Sequence, residues 1–530
     1  MNIDRLKAIW PHVLLLLVAY FAFVWRLDGS LLWRDEATTA CWSRSMVENQ
    51  WIVPRVWDGE QLAVQGPKGH DFNDHFLPSM QSWLQFYVTA ASFAVFGVST
   101  FAARSPFALL GFLGIVLLRK LFLTLFKSEK IAWLGAAFCM VSLPYLHFAR
   151  QCRYYALVLV ISIALINEII SILTNKNEPI RLWAFVRIGV LGFLLFHTNY
   201  FTFGMVWCGL MLTMLNHCKR QFIIGMSITT AAVAVSVIPM LVVVHGSFLA
   251  RSEIQQFPYW SDYWDWVIMA VKRVNQLIPI IPVAVLGIVA VLRYRKETVQ
   301  LRPVYGWLWL MLASTLLIAV LLNKSNAFLR YYLHVIPIIM LISAITVYWA
   351  YVIFNKKLAV LLLGILFVYH SLSPVMTFSE AVVKRQFKRD CSHNGPMVDY
   401  LLENVKPEET VAFIKNEKGM VAHFYIPQLK WVALLEAQNP YNQPYKNRLP
   451  ASMFDSYNNV DWVVVWAMHG LPARVERGYE LMWSYRYGLN APNLKVNAKV
   501  YTPRQYTVTE AEGGIVGDLQ YYDFYHSKNF

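Results

Sequence analysis

Apolar residues in this chain come in long blocks separated by short charged segments. Eleven runs are long enough, or nearly so, to cross a bilayer: Trp10–Trp25, Ser105–Leu118, Ile131–Phe148, Tyr154–Leu173, Trp183–Phe196, Tyr200–Leu215, Phe222–Val244, Leu277–Leu292, Tyr305–Leu322, Tyr331–Val352 and Leu358–Leu372. A spanning helix takes roughly 20 residues, so the shorter runs borrow flanking positions. The first run follows Arg5 and Lys7 and lacks a small-residue cleavage site, so a retained anchor is expected.

A further stretch, Phe76–Val98, is interrupted by Gln81, Ser82 and Gln85. Basic residues decide its place, because short cytoplasmic loops collect Lys and Arg. If the stretch lies along the interface, the loops with Lys176 and Arg181, Lys219 and Arg220, and Lys356 and Lys357 face the cytoplasm. They join Arg119, Lys120, Lys127 and Lys130, and Arg293, Arg295, Lys296 and Arg302. The expectation is therefore about eleven transmembrane helices, N-terminus inside, with a juxtamembrane helical segment in a first external loop of about 26–104.

After Leu372 the pattern changes to short strand-like runs among Pro, Asn and Gly: Thr410–Ile414, Trp431–Leu435 and Asp461–Trp466. The predicted fold class is an α-helical polytopic membrane protein plus a small C-terminal α/β extracytoplasmic domain, with domains at 1–375 and 376–530.

Composition agrees. Of 530 residues, 57% are apolar and 15% charged, against about 25% charged in an average soluble domain. This excludes a disordered chain and an ordinary cytosolic enzyme. The net charge of +15 would suggest nucleic acid in a soluble protein; here it reads as topology bias, and no nucleic-acid partner is expected. Six scattered Cys without a CxxC suggest neither a disulfide framework nor a zinc cluster.

The proposed orientation gathers the unusual polar residues on the external side. Asp35 and Glu36 follow the first span directly. Adjacent carboxylates at a membrane surface are costly unless paired or used. A solvated helix start accounts for them equally well, since acids suit a helix N-terminus. Gly69 to Pro78 holds His70, Asp71, Asp74 and His75; it could bind a metal or phosphate or form a polar turn, and it fits no standard zinc spacing. Arg104 stands at the outer end of the second span, and Arg150 and Arg153 lie three apart in the next external turn. Such arginines can hold an anion or anchor helix ends among headgroups. His197, His245, Arg251 and Arg330 follow in later external turns.

In order, the chain carries Asp-Glu after the first span, an acidic residue before a Pro-containing amphipathic segment, then Phe96-Gly97-x-Ser99-x-x-Ala102-Ala103-Arg104. Phe148-Ala149-Arg150-x-x-Arg153-Tyr154-Tyr155-Ala156 and Arg330-Tyr331-Tyr332-Leu333-x-x-x-Pro337 follow. Over roughly residues 1–375 it resembles the C-type (GT-C) membrane glycosyltransferases, in the branch of protein O-mannosyltransferases and the lipid A aminoarabinose transferase. The resemblance implies an inverting glycosyltransferase. Its sugar donor is a polyprenyl phosphate, and its acceptor is a glycolipid, glycan or protein at the outer face. It implies Asp35 as catalytic base with Glu36 as its neighbour. His75, Arg104, Arg153, Arg251, Arg330 and Tyr331 take the donor-phosphate positions, and Asp74 and His245 the positions for a divalent metal. Where relatives have Lys-Pro-Pro or His-Pro-Pro, this chain has His75-Phe76-Leu77-Pro78. No nucleotide cofactor is implied, and a bacterial inner membrane is the expected location. The alternatives are a transporter or flippase, a polymerase of lipid-linked sugars, and a scaffold. Clean spans with charges clustered outside disfavour transport, and the early Asp-Glu loop favours the transferase.

Overall fold

A computed structural model of the chain describes residues 3–57, 62–63, 72–73, 75–79, 81–174, 180–216, 220–254, 264, 267–268, 271–272, 274–275, 279–322, 332–353, 355–377, 395–413, 416–433, 448–449, 461–466, 479–487 and 520–527. The chain divides into two compact units. One comprises Met1–Trp25, Ser105–Pro239 and Gln255–Thr377; the other comprises Arg26–Arg104, Met240–Ile254 and Phe378–Phe530.

Among the described residues, each of the eleven apolar runs is mainly helical. They form α1 (Ile3–Val24), α4 (Thr100–Phe126), α5 (Glu129–Val141) with α6 (Leu143–Ala149), α7 (Tyr155–Thr174), α8 (Leu182–Thr198), α9 (Tyr200–Asn216), α10 (Arg220–Ile254) and α11 (Ile280–Arg293). After a four-residue α12 (Arg295–Thr298) come α13 (Arg302–Leu322), α14 (Val335–Ile353) and α15 (Lys356–Thr377). Two further helices, α2 (Arg34–Glu48) and α3 (Leu84–Phe96), lie between α1 and α4. Among the described residues, α4, α7, α14 and Arg220–Val243 are long and apolar enough to cross a membrane. Shorter apolar helices accompany them, including α8 and Leu84–Phe96. The protein is a polytopic helical membrane protein. At 1.5 Å per residue, the 13 residues of α3 reach about 20 Å, short of a hydrocarbon core of about 30 Å.

The run Ile131–Phe148 is broken at Ser142 into α5 and α6. Pro144 explains the break: it has no N–H for the Met140 carbonyl, and its ring crowds that carbonyl, so the helix stops and restarts with Pro144 in its first turn. Packing elsewhere in this unit depends on small residues. A Cβ at Gly111 would stand 2.7 Å from both Phe23 and Ala149, and Tyr145 donates a 2.9 Å bond to the Gly111 carbonyl. Without a hydrophobic force between helices in lipid, such close approach supplies the cohesion. Helices α7 and α14 are buried along most of their length. By contrast, α1 and α10 expose Leu17, Val18, Phe21, Ile228, Val235 and Val242. An apolar surface of that kind suits lipid.

In the second unit, α16 (Gly395–Asn404), β1 (Thr410–Phe413), α17 (Asn416–Tyr425), β2 (Lys430–Ala433), β3 (Trp462–Trp466), β4 (Tyr479–Tyr487) and β5 (Gln520–Ser527) form an α/β fold. The sheet order is β2-β1-β3-β5-β4. The first three strands are parallel, and β5 is antiparallel to β3 and β4. The three strands expected from the sequence are β1, β2 and β3.

Candidate active site

The pair Asp35-Glu36 occupies the first turn of α2, where the helix dipole favours negative charge. The helix-start explanation is therefore right about place and wrong about solvent. Glu36 is fully buried and Asp35 is 7% exposed. A buried carboxylate needs a partner, and Glu36 has one. Arg104 donates Nε–H to Oε1 at 2.8 Å and Nη2–H to Oε2 at 2.6 Å, a bidentate pair. Glu36 Oε2 also accepts from the Trp33 amide at 3.3 Å, closing the N-terminus of α2.

The rest of the Arg104 guanidinium is used as completely. Nη1 donates to the carbonyls of Leu27 at 2.7 Å and Ser30 at 2.8 Å, and Nη2 to that of Leu31 at 3.1 Å. All five N–H groups of this residue thus have acceptors, on Leu27, Ser30, Leu31 and Glu36. Arg104, expected at a donor phosphate, grips the segment that leads into α2. Asp35 has a different setting: its Oδ1 lies 3.5 Å from Nε of Arg34, whose side chain is partly exposed.

The motif around Arg104 explains how it gets there. Gly97 ends α3 with φ of 74°, the left-handed region a glycine tolerates. The Ser99 hydroxyl accepts the Ala102 amide at 3.1 Å, capping α4. Pro106 has no N–H, so the Ala102 carbonyl lacks its helical donor, and Ser92 Oγ donates to it at 2.6 Å. Ala102 and Ala103 are fully buried.

The remaining predicted residues fall as follows. The loop about His75 is a turn organised by Asn73, whose Oδ1 accepts the amides of His75 and Leu77 at 3.0 and 3.1 Å. The His75 side chain is exposed. In the other unit, Arg150 and Arg153 are buried between α6 and α7. Arg150 donates to the carbonyl of Trp25, and Arg153 lies 5.6 Å from the Tyr154 ring. The backbones of His245 and Arg251 are in α10, and their side chains lie outside the described residues. Asp74, Arg330 and Tyr331 lie outside the described residues altogether. No group of three or more His, Cys, Asp or Glu that could hold a metal occurs among the described residues.

Sequence reasoning missed the contribution of α17. Cys41 Sγ donates to the Met420 carbonyl at 3.3 Å, and Arg44 Nη1 to that of His423 at 3.0 Å. Arg44 Nη2 meets His423 Nε2 at 2.7 Å, and Tyr425 Oη accepts the Leu32 amide at 2.8 Å. Burial pushes the Cys41 thiol up to about 12, so it is an inert thiol rather than a nucleophile. Leu32 and Tyr425 are 393 positions apart, and no local signal joins them.

No family model matches the chain, and no curated protein sequence matches it. Solved structures do. The structure of ArnT from Cupriavidus metallidurans bound to undecaprenyl phosphate matches over 87% of this chain and 93% of that one, with a TM-score of 0.56 and 14% identity. The apo structure of the same protein covers the same shares with a TM-score of 0.54 and 13% identity. At that identity the likeness is one of fold: this chain has the fold of the ArnT structures.

Proposed function

We propose that the protein is an inverting glycosyltransferase that moves a sugar from a polyprenyl-phosphate donor to a glycolipid, glycan or protein acceptor at the outer face of a bacterial inner membrane. One observation carries this reading: a buried Asp-Glu pair at the start of α2, one member locked by Arg104, in a chain with the ArnT fold. That ArnT was solved with undecaprenyl phosphate supports the same class of lipid carrier here.

The two carboxylates then divide the work. Glu36 and Arg104 hold the turn, and Asp35 serves as general base. The acceptor O–H gives its proton to Asp35 as the oxygen attacks C1 of the sugar. The bond from C1 to the phosphate oxygen breaks with inversion, and the polyprenyl phosphate leaves with the electron pair. Arg153, with Arg251, Arg330, Tyr331 and His75, is proposed to meet the growing phosphate charge. A divalent ion on Asp74 and His245 remains part of the proposal through the family resemblance alone, and no step depends on it.

The test compares glycan and lipid profiles of cells that lack the protein with cells carrying the wild type or Asp35→Asn. Deletion is expected to remove one sugar from one acceptor. Asp35→Asn is expected to lower its transfer by about 10²- to 10⁴-fold with normal protein levels. Normal transfer by Asp35→Asn would sink the assignment.

A further inference from the structure

We infer that Tyr425 is a positioning residue for Asp35, holding the catalytic turn from the C-terminal α/β fold. This rests on the transferase reading above and deepens it. The hydroxyl of Tyr425 touches both sides of the turn. Its oxygen accepts the Leu32 amide at 2.8 Å, three residues before Asp35, and it exchanges a 2.8 Å bond with Thr100 Oγ1. Thr100 begins α4, the helix that brings Arg104 to Glu36. An oxygen already accepting from Leu32 has its own proton for Thr100. One phenol thus ties the entry of α2 to the first residue of α4, and Arg104 ties the same two places a turn further on. Burial pushes the Tyr425 phenol up to about 12, so its O–H stays a donor at every physiological pH.

The ring is held independently of its hydroxyl. Cys41 on the Met420 carbonyl, Arg44 on the His423 carbonyl, and the stacking of Phe93 on Phe424 at 6.2 Å seat α17 on α2 and α3. Tyr425→Phe therefore removes two hydrogen bonds and leaves the helix in place. Without them, residues 31–33 lose a tether, and the Asp35 carboxylate wanders from the acceptor proton. A displacement of about 1 Å costs on the order of a hundredfold in rate. In the proposed mechanism the donor phosphate is met by residues other than this turn, so carrier affinity is expected to be unaffected.

The experiment uses the full-length protein, and measures sugar transfer in complemented deletion cells together with undecaprenyl-phosphate affinity of the purified variants. Tyr425→Phe is expected to lower transfer by about ten- to a hundredfold while its affinity for undecaprenyl phosphate stays at the wild-type value and its melting temperature in detergent falls only slightly, as the loss of two hydrogen bonds requires. Full transfer by Tyr425→Phe, beside an inactive Asp35→Asn, overturns the inference alone. A fall in transfer matched by a fall in carrier affinity, or by loss of folded protein at the assay temperature, overturns it too, since the hydroxyl is then merely structural. Full transfer by Asp35→Asn removes the transferase reading, and the inference with it.

Discussion

Asp35 and Glu36 are adjacent in sequence and have opposite surroundings. Glu36 is enclosed and saturated by Arg104, whereas Asp35 keeps slight exposure beside Arg34. Removing one member of a buried ion pair leaves a charge without compensation, which costs about 3–5 kcal/mol. Arg104→Ala is accordingly expected to lower stability by that amount, read as a fall in melting temperature in detergent. Glu36→Gln, which keeps an acceptor for Arg104 and Trp33, is expected to cost less. The sequence pointed to all three residues, because charges are rare in this chain. It could not show that Arg104 and Glu36 choose each other. That pairing joins positions 68 apart and depends on where α4 begins.

At the scale of elements, apolar runs translated directly into helices, because a backbone in lipid must satisfy its hydrogen bonds within its own segment. How those helices approach each other rests on single small residues. Gly111→Val is expected to destabilise the α1–α4–α6 packing by about 1–3 kcal/mol, since even a Cβ collides with Phe23 and Ala149. Thermal unfolding in detergent checks it. The α2–α17 pair supplies a pH dependence. Burial, and then the Arg44 charge, hold His423 down to about 3. As pH falls below the ordinary value of 6.5, the unfolded chain takes up a proton that the folded chain refuses. Stability then falls progressively with pH below 6.5, until pH approaches 3. The melting temperature is expected to fall between pH 7 and pH 5, and His423→Gln to flatten that fall. Strands β4 and β5 were not foreseen. Only β5 pairs with β3, and β4 pairs with β5, so both places in the sheet rest on contacts distant along the chain. Tyr479–Tyr487 does alternate, with Tyr, Leu, Trp, Tyr and Tyr at every second position, a strand signal legible in the sequence that sequence reasoning missed.

For the whole molecule, the division into two units puts residues 26–104 together with the chain after Thr377. Sequence order separates these segments by most of the helical region. Ending the chain at Thr377 removes α17, which covers Cys41 and Arg44 and holds Leu32. Such a truncation is expected to abolish transfer and to make residues 26–104 sensitive to limited proteolysis, while residues 105–239 stay resistant. Equal protease resistance in the truncated and full chains would contradict this.

What the sequence determined by itself is the membrane class and the helical segments, while the chemistry stays a proposal drawn from resemblance. Hydrophobic run length, charge scarcity and an Asp-Glu pair after the first helix are local properties, and physics reads them without knowledge of neighbours. What only the tertiary structure decided is which of these groups pair with each other. Arg104 spends its donors on Glu36 and three carbonyls, and Tyr425 reaches across 393 residues to hold Leu32. A hydrogen bond acts over about 3 Å of space whatever the distance along the chain, so such partners appear only once the fold has brought them together.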